Sequence, residues 1–221
     1  DRVSVVGLES ILIKSILTLA FADTYPDFTY ESMDKHKYKP DTINITSTIF
    51  GINFEDYYKA LETYDAPAEL RERVVRFGKK VHTIGNIMVL PSGLTLMRNT
   101  KPLGRGYCDV FLAEFYKMMI SAKKCNMKMF DALNLKKIEV AAFRTEENFN
   151  HIVRELMLDD FLDEEGKPKQ VFQGLYSWEP GISRDTFIKA ANDFLDFCEP
   201  FVDKRTDRII DKLEKVLSNN H

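Results

Sequence analysis

Cysteine is scarce and unpatterned in this chain: Cys108, Cys125 and Cys198 are its three, an odd number with no C-x-x-C pair. That excludes a disulfide-stapled scaffold and a cysteine zinc site, and makes thiols in a reducing cytoplasm the expectation. Long apolar runs are missing as well. The longest, Val5 to Ala22, is interrupted by Glu9, Lys14 and Ser15, and no small-residue cleavage signal follows it. It reads as a core helix, not a membrane span or a signal peptide. No P-loop, serine elbow, zinc motif, internal repeat or low-complexity segment is present. Charge of one sign does not dominate either, because 31 Lys and Arg against 34 Asp and Glu leave a formal charge of -3. Taken as an average, that points to neither nucleic acid nor a membrane.

What is present suffices for a packed core: 44% of the 221 residues are hydrophobic and 12% aromatic. Helical spacing of Leu8, Ile11, Leu12, Ile16, Leu19 and Ala20, broadened by Ile13 and Leu17, predicts a first helix over 8–22 covered on both sides. Residues 26–42, with Pro26 and Pro40, read as an ordered loop, and the β-branched stretch Ile43 to Phe50 as a short strand. Helices are expected over 55–64 and 67–80, the second capped by Asp65 with Pro67 in its first turn. Residues 86–90 and 94–97 around Pro91-Ser92-Gly93 predict a hairpin, followed by a helix from about Tyr107. Thr145 and Ser183 are N-cap candidates for two further helices, the last one long and bent or broken at Pro200. The expected class is therefore mainly α (α+β), a single mostly helical domain with a small β-hairpin followed by a helix, with 131–145 as the one candidate for a subdivision.

The balanced total hides a segregation. Residues 71–128 hold twelve Lys or Arg against three acids, so this middle third carries +9, while 1–70 carry -6 and 145–221 carry -7. A basic segment inside an acidic chain suits a phosphate-contacting surface, DNA or RNA among the partners. Pairing of the same charges with the acidic flanks is the alternative.

Within that third, His82 is an imidazole able to accept a proton from water at neutral pH, and Asn86 and Asn99 are amides able to orient it. Gly104 and Gly106 flank Arg105 just ahead of the helix at Tyr107. With Arg98 and Lys101 they form a candidate phosphate-binding approach to a helix N-terminus. Asp109 and Glu114 are the only nearby acids and hence the candidate ligands for a divalent metal, Mg or Mn. The structural alternatives are a histidine that holds backbone groups and an Asp109 that offsets the helix dipole.

The words His82-Thr-Ile-Gly-Asn86, with the apolar run, proline and Asn99 that follow, resemble an H-T-I-G-N-F signature of uncharacterised bacterial and phage proteins. More distantly they are similar to the I-G-N-L-T-L-L segment in the C-terminal nuclease domains of GmrSD-type restriction systems, relatives of the HNH endonucleases. The likeness spans residues 82–116. It implies a ββα element holding one divalent metal, with a histidine that activates water and an asparagine that orients it. By matched position Gly85, Asn86 and Asn99 correspond to the nuclease segment, and His82 to the uncharacterised group. The upstream histidine motif of those nucleases has only His36-Lys-Tyr-Lys-Pro40 as its counterpart here, without the acid or the apolar residue, and the helix after the expected hairpin has no histidine ligand.

Three functions follow as expectations. The first is nucleic-acid or polyanion binding on an HNH-like scaffold, with cleavage only if His82, Asn99 and an acid such as Asp109 converge. The second is a non-enzymatic helical interaction protein, which requires basic residues paired with the acidic flanks. The third is a small-molecule enzyme holding a phosphate at Gly104 to Gly106.

Overall fold

A computed structural model describes residues 11–44, 56–92, 94–95, 107–120, 145–172 and 182–219. In chain order they form α1 (Ile11–Ala20), α2 (Tyr30–Asp34), β1 (Tyr38–Thr42), α3 (Asp56–Thr63), α4 (Ala68–Lys80), β2 (Ile87–Pro91), α5 (Cys108–Ile120), α6 (Glu146–Glu155) and α7 (Arg184–Ser218). Short 3-10 turns stand at Ile84–Asn86 and Asp159–Phe161. The class is mostly helical with one small antiparallel sheet. No helix among the described residues is long and apolar enough to cross a membrane.

The 35-residue α7 is the post on which the rest is hung; at about 1.5 Å per residue it is about 52 Å long. The Oγ of Ser183 accepts the Thr186 N–H at 3.2 Å, which satisfies one of the orphan donors at its start. Phe187, Ala191, Phe194, Leu195, Cys198, Phe201, Val202 and Ile209 are its buried side. Against it pack α1, α4 and the turn at Ile84–Asn86. Pro200 does not break the helix: it is exposed, so the carbonyl that lacks its N–H lies on the solvent side. Phe161 and Phe172 pack onto this post, Phe161 edge-to-face on Phe201 and Phe172 tilted against Phe194, each with ring centres 5.2 Å apart.

Thr145 caps α6 as its sequence predicts, accepting the Asn148 N–H at 3.1 Å. That helix stops at Glu155, because Met157 turns the chain at φ 55. At the start of α4 the N-cap position is Pro67 with no side-chain cap, and Asp65 instead holds a left-handed turn at φ 43. On α1 the buried residues are Leu17 and Ala20, while Ile11 (75%) and Leu12 (68%) are exposed, so this helix is not covered on both sides.

The sheet differs most from expectation. β2 pairs with β1, from Thr42↔Ile87 to Tyr38↔Pro91; of the segment 94–97 expected beside it, residues 94 and 95 are helical and 96 and 97 lie outside the described residues. The stretch read as a loop thus supplies the partner strand, while 45–50, part of the expected strand, lie outside the described residues. Pro40 and Pro91 disguise both strands, yet each sits where the ladder needs no N–H. Ile43 donates to the Asn86 carbonyl at 2.8 Å and Ser92 to that of Lys37 at 2.9 Å, so the hydrogen-bonded pairs alternate with those containing Pro40 and Pro91. The Tyr25 hydroxyl donates to the Val89 carbonyl at 3.1 Å and its ring stacks on Tyr38 at 5.0 Å, which ties the sheet to the segment between α1 and α2. Burial alone would raise Asp27, but the Lys37 ammonium at 2.6 Å and the Tyr38 hydroxyl outweigh it and hold the carboxyl below its usual range.

Candidate functional site

The last turn of α4 carries Lys79 and Lys80 and closes at Val81, whose N–H reaches the Phe77 carbonyl. His82 follows and points to solvent as an exposed residue. The Thr83 hydroxyl donates back to the Lys80 carbonyl at 2.7 Å, and the Asn86 N–H to the Thr83 carbonyl at 2.9 Å, which winds 84–86 into the 3-10 turn.

That turn is pressed against α7 at Gly85. A Cβ there would lie 2.0 Å from Thr206 Oγ1 and 2.3 Å from the Val202 carbonyl oxygen, so only a glycine permits this approach. Asn86 is fully buried with all its amide atoms occupied. Its Nδ2 donates to the carbonyls of Asn44 (2.6 Å) and Val81 (2.9 Å), and its Oδ1 accepts the Asn44 N–H at 3.1 Å. One side chain thereby joins the end of α4, the start of β2 and the chain leaving β1.

Arg205 completes the joint from the other side. It is 1% exposed, in the middle of the apolar stripe of α7. Its Nε donates to the Leu156 carbonyl at 2.9 Å, its Nη1 to those of Gly85 (2.9 Å) and Ile84 (3.3 Å), and its guanidinium carbon lies 5.4 Å from the centre of the Phe21 ring. Among the described residues no carboxylate forms an ion pair with it, and its Nη2 has no hydrogen-bond partner. Burial pushes the guanidinium down to about 9. The carbonyls at the ends of two helical segments and one aromatic face take the place of a counter-ion.

Asp109 lies in the first turn of α5 and is fully buried. Its Oδ1 accepts the Val110 N–H at 2.8 Å and its Oδ2 the Phe172 N–H at 2.9 Å, so both oxygens serve the backbone. Glu114 is half-buried and pairs with Lys117 at 2.6 Å. The two acids are five residues apart on one helix, about 140° around it, and so face different directions. Among the described residues no group of three or more His, Cys, Asp or Glu is arranged to hold a metal ion. The structure therefore does not gather His82, Asn86, Asp109 and Glu114 into one pocket. The other predicted residues, Arg98, Asn99, Lys101, Gly104, Arg105 and Gly106, lie outside the described residues.

The basic residues of α4 are turned largely onto α7. Arg73 reaches Asp196 at 2.8 Å, Glu199 at 2.9 Å and the Asn192 Oδ1 at 3.0 Å; Arg76 lies 3.5 Å from Glu199, and Lys80 2.6 Å from Asp203. For Arg73 burial works against the charge, but the two carboxylates prevail and raise its pKa.

Two residues central to this joint, Arg205 and Asn44, escape a reading of motifs. For Arg205 the sequence does contain a signal, because an arginine stands on the core stripe between Val202 and Ile209. The geometry separates His82 from Asn86 in a measurable way. Asn86→Ala strips the Asn44 and Val81 groups of their partners and is expected to cost about 3 kcal/mol in urea unfolding. His82→Ala at an exposed position should stay within about 0.5 kcal/mol. Equal losses for the two would mean that the imidazole is part of the packing. In comparisons with family models, curated proteins and solved structures, the chain matches none.

Proposed function

We propose that this chain is a non-catalytic helical interaction protein, in which the segment from His82 to Asn86 is a folding element. The observation that carries this reading is the placement of the polar groups suited to chemistry. Asn86 and Asp109 are fully buried with their side chains engaged by backbone groups, whereas His82 stands exposed. A general base and the group that orients it must come within hydrogen-bond reach of each other and of a substrate. Side chains in such different environments do not meet that requirement. Charge supports the same reading, since Arg73 and Lys80 are matched by acids of α7 and are not held out toward phosphates. With Cys108 and Cys198 buried and no disulfide between them, a reducing cytoplasm is the compartment that fits.

The test is to incubate the protein with labelled single- and double-stranded DNA and RNA at two salt concentrations, with Mg²⁺ or Mn²⁺ present. No cleavage is expected, and any binding should be unaffected by Arg98→Ala plus Arg105→Ala. Product that disappears on His82→Ala would make the protein a nuclease. Salt-sensitive binding lost in the arginine double variant would restore the polyanion reading.

A further inference from the structure

The side of α7 that receives α4 continues past the point where α4 ends. At about 100° per residue, Asp196, Glu199, Asp203, Ile210, Glu214 and Leu217 fall within about 60° of arc. The first three meet Arg73, Arg76 and Lys80 of α4, whose Phe77 packs on Phe194 beside them with ring centres 5.8 Å apart. Thr206 then receives the 3-10 turn at Gly85. From there on the side is open. Ile210 is 45% and Leu217 55% exposed, with half-buried Leu213 between them, so that the three stand at i, i+3 and i+7. Glu214 is exposed, as are Asp207 and Asp211 along its edge, and among the described residues no cation pairs with these three carboxylates. On the far flank Lys204, Arg208 and Lys212 are matched by Asp160, Asp159 and Glu155. No residue of α7 after Ile209 is buried, so residues 210–218, about 13 Å of helix, stand at the margin of the core.

We propose that the open end of this side, from Asp207 to Leu217, docks a basic amphipathic helix of a partner protein that continues the seam of α4. Its Lys or Arg at i, i+3 and i+7 would meet the carboxylates, and its apolar residues Ile210 and Leu217. The inference rests on the interaction reading above and names its partner. Continuity carries it first, because the same side of the same helix already packs a basic helix over Asp196 to Asp203. Charge carries it second: Asp207, Asp211 and Glu214 lie at i, i+4 and i+7, beside the apolar line and unmatched among the described residues. The same carboxylates repel phosphates, and a second copy packed antiparallel would set its own acids against them.

The experiment titrates the whole chain into a fluorescein-labelled synthetic helix with Arg at i, i+3 and i+7 beside a row of Leu, read by anisotropy at low and moderate salt. A peptide of the same composition, with its arginines and leucines spread around the helix, serves as control. Saturable binding is expected, weakened several-fold by salt and about tenfold weaker for the control. Asp207→Asn plus Glu214→Gln should weaken it about tenfold, and Leu217→Ser by a similar factor. All three positions are exposed, and thermal melts check that the variants fold. No binding at low salt, equal binding of the control, or binding that the variants keep in full overturns the proposal. So does a dimer in gel filtration that Leu217→Ser dissolves, since a second copy would then cover this side. Cleavage in the preceding assay would remove the interaction reading itself, whereas absence of peptide binding without cleavage removes only this surface.

Discussion

Replacing Gly85 with alanine is expected to destabilise the fold by about 3 kcal/mol, at the upper end of what an overpacked core site costs. The new methyl would sit 2.0 Å from Thr206 Oγ1 and 2.3 Å from the Val202 carbonyl oxygen. The first neighbour is a side chain and can be removed; the second is helix backbone and cannot. Gly85→Ala plus Thr206→Ala should therefore recover only part of the loss, while Thr206→Ala alone should cost far less than the glycine change. Urea midpoints with an unchanged slope would measure both effects. Full recovery in the double variant would show that α7 can shift to accept a Cβ, and that the close approach is not rigid.

Arg205→Met is expected to cost a similar amount, about 3 kcal/mol, although it removes a buried charge that has no carboxylate partner among the described residues. Two effects oppose each other here. Taking the guanidinium away relieves its desolvation, which burial registers as a pKa pushed down to about 9. Against that, the Leu156 and Gly85 carbonyls lose their donors inside the core, and the Ile84 carbonyl keeps only the Ile87 N–H. Stranded acceptors at two helix ends outweigh the relief, since each costs about 1–3 kcal/mol when buried. Arg205→Lys should fall between wild type and methionine, because an ammonium carries charge but cannot span carbonyls on both sides. The difference should be flat across neutral pH, where the guanidinium is charged both folded and unfolded. A methionine variant as stable as wild type would mean that the charge costs as much as its hydrogen bonds return.

Both changes fall on the joint where the 3-10 turn meets α7. The same local words that suggest a nuclease, histidine, glycine and asparagine in a run of five, serve here as a connector, a contact point and a clamp. Asn86 resembles an orienting amide in sequence because an asparagine that orients an imidazole and one that ties three backbone segments need the same donors and acceptor. Only the partners tell them apart, and those partners are Asn44 and Val81.

The amino-acid sequence by itself determined what depends on short range. Thr145 and Ser183 cap their helices because their hydroxyls reach an N–H three residues on, and the stripe from Phe187 to Ile209 specifies one buried side of α7 through its 3.6-residue period. The mainly helical class and the start of α5 after Tyr107 follow from the same signals. Tertiary structure alone decided which strand lies beside β2, whether the basic residues of α4 face solvent or α7, and why position 85 must be glycine. In each case the deciding neighbour is more than 40 residues away in the chain. No periodicity or cap encodes such a neighbour, because strand pairing and ion pairing are chosen by which surfaces the packed core brings together.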